Sequence, residues 1–279
     1  MTTVTINRIQ NNTSSAHAVE LVSSFEELYD LLKTSKSLRE RMAKSVLQMD
    51  HVMMAMDVMR HQIPPYLYTQ MKPSDIAAIL PALDWMDWSF PATFFTQSQR
   101  INITEYITCD DKLANGTLKE FIYIDEFFSK YLTESDPHYL YGLTATIWRK
   151  VNTNHQQSIK TEDRRVPLIS RAQVSQWIMN LRHYHDSIFY RSTINIMMAQ
   201  SIMFAFGLKK FIHDMYGPHL FGSEGSGSMG VNFGWHTVAM DLASTHVFGN
   251  LDQVMDTNFH DLCAYLVQQK QKAVNTETK

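Results

Sequence analysis

Residues 120–132 read EFIYIDEFFSKYL, residues 140–150 LYGLTATIWRK, and residues 196–222 IMMAQSIMFAFGLKKFIHDMYGPHLFG. Apolar residues recur every three or four positions in all three segments, the period of a helix with one buried face. Thr117 and Glu120 form a capping box ahead of the first, and Phe121, Ile124, Phe128 and Leu132 make its apolar stripe. Asp136-Pro137 opens the second segment. The third reads as a helix from Ile188 to Tyr216, ended by Gly217-Pro218.

Upstream, Ser23 with Glu26 and Ser37 with Glu40 repeat the capping pattern. They predict a helix through Phe25, Leu28 and Leu32, then a long one from Leu38 to about His61, stopped by Pro64-Pro65. A short helix starts at Pro73-Ser74-Asp75. The alternation Ile101, Ile103, Glu105, Ile107 predicts a strand, and Asn115-Gly116 a turn, so a small β element is expected around residues 93–116. Downstream, residues 151–166 read as an exposed polar loop, Ser170–Met179 as a helix, and residues 222–233 as a Gly/Ser linker. A C-terminal helical pair follows, from Trp235 to His246 and from Leu251 to about Lys272, broken at Phe248-Gly249. Residues 1–22 are polar and are expected to be flexible. The fold expected is mainly α: a multi-helix bundle with one small β insertion. Its regions are 1–22, a helical region 23–92, the β element 93–116, a central bundle 117–221, the linker 222–233 and the pair 234–272.

Composition narrows the function. Hydrophobic residues make up 44% and charged residues 19%, a folded chain rather than a disordered one. With 25 basic against 28 acidic side chains, nothing in the balance favours nucleic acid as the main partner. Cys109 and Cys263 stand far apart and outside any metal spacing, which fits a reducing compartment. No apolar run is long and clean enough to span a bilayer, and the first residues do not read as a signal peptide. A soluble, cytoplasmic protein with no membrane or nucleic-acid partner is expected.

Catalytic motifs are sparse. There is no phosphate loop, nucleophile elbow or HExxH; GSEGSGSMG at 222–230 lacks the Lys-Ser or Lys-Thr that a phosphate cradle needs. His183 and His185 stand two apart, on opposite sides of a helix, and would share a metal only on a strand. Asp84 and Asp87 beside Trp85 and Trp88 read better as a helix cap next to aromatic core than as an acid/base pair. No cofactor, metal or catalytic residue is assigned; a helical enzyme using the His and Asp clusters around a metal is the alternative.

Candidate binding residues are of three kinds. Met49, Met53, Met54, Met56 and Met59 cluster in one segment, either as methionine-filled core or as an adaptable partner groove lined by Met53 and Met56. Arg164 and Arg165 close the polar loop before Val166-Pro167-Leu168, where a guanidinium could lock the loop to a helix end or grip a partner's carboxylate. Trp148, Arg149 and Trp235 flank the loop and open the C-terminal pair, with both tryptophans placed as core anchors.

The order FIYIDEFF, LYGLTATIWRK, DRRVPL, FIHDMYGPHLFG, then GWHTVAMDLASTHVFGNLDQVMDTNFHDLCAYLVQQKQKA, resembles a family of tail-assembly proteins, of the tail-assembly-chaperone type, from tailed bacteriophages and prophages of gut bacteria. Phe121, Glu126, Trp148, Arg149, Arg165, Pro167, Phe221, Trp235 and Phe248 carry the resemblance, which covers about residues 105–271. It implies an all-helical, non-enzymatic protein of the host cytoplasm, or of the virion. Its partners would be other tail proteins, such as a tape-measure protein kept soluble until the tail tube forms, and it could self-associate.

Overall fold

A computed structural model describes residues 1–10, 13–86, 88–151, 165–168, 170–220 and 234–277. The Gly/Ser segment 222–233, Arg164 and most of the polar loop fall outside them.

The mainly α expectation holds, with one addition at the N-terminus. Residues expected to be flexible form an antiparallel hairpin of β1 (Thr2–Gln10) and β2 (Thr13–Leu21). Ile6, Val19 and Leu21 are buried on one face while Thr3, Thr5, Ala18 and Glu20 are exposed on the other. That two-residue alternation, spelled mostly in Thr and Val, is what a half-buried strand requires.

Helix α1 (Phe25–Thr34) follows, capped by the Ser24 hydroxyl, which accepts from the Glu27 N–H. The long helix expected from Leu38 to His61 is instead two, α2 (Lys36–Leu47) and α3 (His51–Gln62). Met49 turns left-handed, with φ 54°, and the Asp50 carboxylate caps α3 by accepting from the Met53 N–H at 2.9 Å. The break brings the two helices side by side, where the Ser45 hydroxyl donates to Asp57 at 2.7 Å. The short helices α4 (Pro65–Tyr68) and α5 (Pro73–Ile79) each begin at proline, whose missing N–H is no loss in a first turn.

The expected strand around Ile101–Ile107 is a hairpin: β3 (Ser98–Ile101) and β4 (Thr104–Ile107) pair with Ile101 opposite Thr104. The hairpin turn is made by Asn102 (φ 55°) and Ile103; the expected turn at Asn115-Gly116 is also present, with the Gly116 N–H bonded to the Leu113 carbonyl, and it leads into the next helix. After α6 (Leu118–Glu134) and α7 (Pro137–Ile147), the short β5 (Arg149–Lys150) joins β4 as a third strand. The described chain resumes before α8 (Arg171–Asp186), which extends beyond its expected end at Met179.

The centre of the molecule is α9 (Arg191–Leu220), which touches α2, α6, α7, α8 and β3. Ile194, Met197, Ile202, Met203, Phe204 and Leu208 are all buried along it, so it is enclosed on most sides. Gly207 is where α9 crosses the segment 90–92. A methyl group there would sit 2.5–2.6 Å from backbone atoms of Phe90, Pro91 and Ala92, so only glycine lets the chains come this close. The helix runs on through Gly217-Pro218 to Leu220, because proline in a final turn removes one hydrogen bond without needing later ones.

The C-terminal segment holds α10 (Trp235–Ser244), α11 (Leu251–Met255) and α12 (Phe259–Glu277). Phe259 packs on Phe121 at 4.1 Å between ring centres and on Trp235 at 5.4 Å, which seats these helices on α6. One apolar cluster runs from Ile6 to Cys263, so the segments share a core. No described helix is long and apolar enough to cross a membrane.

Candidate functional site

The densest polar arrangement sits under the neck of the polar loop. Glu120 lies in the first turn of α6, where it completes the capping box read from the sequence: Thr117 accepts from the Glu120 N–H and Glu120 accepts from the Thr117 N–H. Its carboxylate is shared by two arginines. Arg149 binds Oε1 and Arg165 binds Oε2 at 3.2 Å. All three side chains are buried. Strand pairing holds Arg149 opposite Ile107, and a bridge from Val151 to Arg165 with a bond from the Val166 N–H to the Lys150 carbonyl closes the neck. Arg149 also donates to the Val166 carbonyl at 3.1 Å, and Arg165 to Asn115 at 3.4 Å. Charges taken this far from water persist only when paired and hydrogen-bonded.

Beside this cluster is a cavity of about 630 Å³, lined among others by Asp110, Asn115, Lys119, Glu120, Arg165 and Asp256. Its rim is tied by the 2.7 Å ion pair of Lys119 with Asp256, and by Asn258 donating to the Ala114 carbonyl. Backbone bonds from Leu118 to Thr257 and from Phe259 to Gly116 dock the C-terminal helices here. The residues brought together thus join three remote parts of the chain, and the arrangement is a clasp.

Trp148 lies in the core as expected, and of the two readings given to the loop arginines the lock is the one Arg165 makes. Trp148, Arg149 and Arg165 are each no more than 2% exposed, so within this chain they serve the interior and the loop neck. Trp235 is half-buried against Phe121 and Phe259. Met53 is exposed and Met56 half-buried, whereas Met54 and Met59 are fully buried, so the methionine cluster is split between core and surface. Replacing Met53 with serine is expected to change stability by less than about 0.5 kcal/mol. Met54→Ala is expected to lose about 2–5 kcal/mol. Urea melts of the two variants check the assignment, which equal losses would reverse.

Two of the histidines serve as links between elements. Tyr141 on α7, His185 on α8 and Asn195 on α9 form a chain at 2.6 and 2.8 Å. Tyr216 on α9 meets His260 on α12 at 2.8 Å, and the far ring nitrogen of His260 meets the Lys112 carbonyl at 2.8 Å. A carbonyl only accepts, so His260 Nε2 carries the hydrogen and Nδ1 accepts from Tyr216 when the ring is neutral. Among the described residues no three His, Cys, Asp or Glu side chains gather as metal ligands. Asp87 lies outside the described residues; Trp85 and Trp88 pack on Phe25 and Phe206, the aromatic core expected of them. Cys109 and Cys263 are buried without a disulfide, and burial pushes the Cys263 thiol up to about 12.

One surface feature escaped the sequence reading. Ile188 and Phe189, taken as the start of a helix, stand on the connection between α8 and α9 with exposures of 78% and 82%. The connection is pinned by backbone bonds from Ser187 to Tyr184, from Tyr190 to Ser187 and from Arg191 to Ser187. The Arg191 guanidinium donates to the His185 and Asp186 carbonyls. Two large apolar side chains are therefore held out on a fixed backbone. A run of apolar letters before a helix carries no mark of which way it faces; the only clue was Ser187, the break before it.

No family model, no curated protein and no solved structure matches this chain.

Proposed function

We propose that the protein is a non-enzymatic assembly protein that binds other polypeptides through apolar side chains, in the manner of a bacteriophage tail-assembly chaperone. The observation that carries this reading is the Ile188–Phe189 knob. Exposed apolar area on a pinned backbone loses little freedom when a partner covers it, and large apolar side chains of this kind dominate binding energy where they fill a pocket. Exposed Met53 and Val52 on α3 add adaptable apolar surface. The tail-assembly part of the reading is supported by the sequence resemblance over residues 105–271, and its partner would be a long helical tape-measure protein.

The test begins with the DNA flanking the gene. A long downstream reading frame with heptad-like repeats is expected, and its product should stay soluble and co-purify when expressed with this protein. Ile188→Ser with Phe189→Ser is expected to weaken that association about tenfold or more, with an unchanged melting curve because both side chains are exposed. A neighbourhood of metabolic genes, or undiminished binding by the double variant, overturns the proposal.

A further inference from the structure

The N-terminal hairpin has an outer edge that stays unpaired among the described residues. Among the described residues no third strand pairs with β1 or β2. β2 is the strand that touches α3, and the Val22 N–H beyond it is held by Gln62 at 3.1 Å, which leaves β1 outermost. Every second residue of an outer strand turns its N–H and C=O outward, a template for another strand. Natural edges are usually blunted by proline, lysine or a bulge. Here the register runs without a slip from Thr2 opposite Leu21 to Gln10 opposite Thr13, and residues 2–21 contain neither proline nor lysine. Nine paired residues reach about 30 Å; packing on the core through Ile6, Val19 and Leu21 holds the ribbon in place and presents its outer edge as a ready-made template.

We propose that β1 pairs antiparallel with β1 of a second copy of this chain, giving a four-stranded sheet across a two-fold axis. The strand itself suits this occupant. Its midpoint is Ile6, so placing Ile6 opposite Ile6 of the copy overlaps all of Thr2–Gln10. In this register Arg8, the one charged residue of β1, falls opposite Val4 of the copy, so no like charges are paired. Thr5 falls opposite Asn7 in the same register. The pairing is independent of the Ile188–Phe189 knob, so either can fail without the other.

Sedimentation of the full chain tests it. The wild type is expected to dimerise reversibly with concentration. Thr5→Lys with Asn7→Lys sets two lysine pairs face to face in this register and is expected to weaken the dimer about tenfold or more. Thr5→Lys with Asn7→Glu sets each lysine against a glutamate and is expected to restore it. Thermal melts at a concentration where all three are monomeric confirm that the variants fold. A wild type that stays monomeric, a double-lysine variant that dimerises as well as wild type, or a complementary variant that stays monomeric each overturns the proposal.

Discussion

Glu120→Ala is expected to destabilise the protein by about 3–5 kcal/mol, the range for removing one partner of a buried ion pair. The carboxylate meets Arg149 and Arg165 and caps the first turn of α6 at once. Its removal leaves two buried guanidinium groups without the acceptor they share, and an N–H at the helix start without its bond. Glu120→Gln separates these roles. Glutamine preserves the capping box, so this variant loses the charge and keeps the cap, and it should fall between alanine and wild type. Urea denaturation measures both. Losses below about 1 kcal/mol, typical of exposed pairs, would show that the cluster is not what closes the loop neck.

Phe259→Ala is expected to lose a similar amount, about 3–5 kcal/mol. The ring is fully buried and stacks on Phe121, with Trp235 edge-on to both. The Phe259 N–H is bonded to the Gly116 carbonyl, which holds the backbone beside the space the ring would leave. The loss should be local as well as global. Trp235 emission should shift to the red as water reaches the indole, and amide exchange should rise along α12 before it rises along α9. An unshifted Trp235 spectrum would mean that α10 and α12 keep their seat without the phenyl ring.

Much of this fold is legible in local patterns. The Thr117–Glu120 box marked the start of α6 because both partners lie within one turn. The helical segments announced themselves by apolar residues spaced for one buried face. What local pattern could not carry was pairing at a distance. Glu120 was read as a cap, Arg165 as either a lock on the loop or a grip on a partner, and Arg149 as flanking the loop, yet the three meet across separations of 29 and 45 residues. The N-terminal hairpin was missed because threonine and serine fill positions that more often hold Val or Ile, so its two-residue period is faint. The break at Met49 carried no glycine or proline to signal it; it follows from Asp50 capping α3. Ile188 and Phe189 were misplaced for the opposite reason: apolar side chains are expected inside, and only the turn geometry shows these two facing out.

The position of α9 bears on how the chain comes off the ribosome. This helix begins at Arg191 and supplies neighbours to α2, α6 and α7, all made much earlier. Until it emerges, the faces of those helices that wait for it are open to water, and the nascent chain resembles a mould without its centrepiece. Domains complete their folding as units, so this one should gain its protease resistance late in synthesis, once Ile212 has cleared the exit tunnel. Chains stalled before Arg191 should bind general chaperones, and chains stalled well after Leu220 should release them.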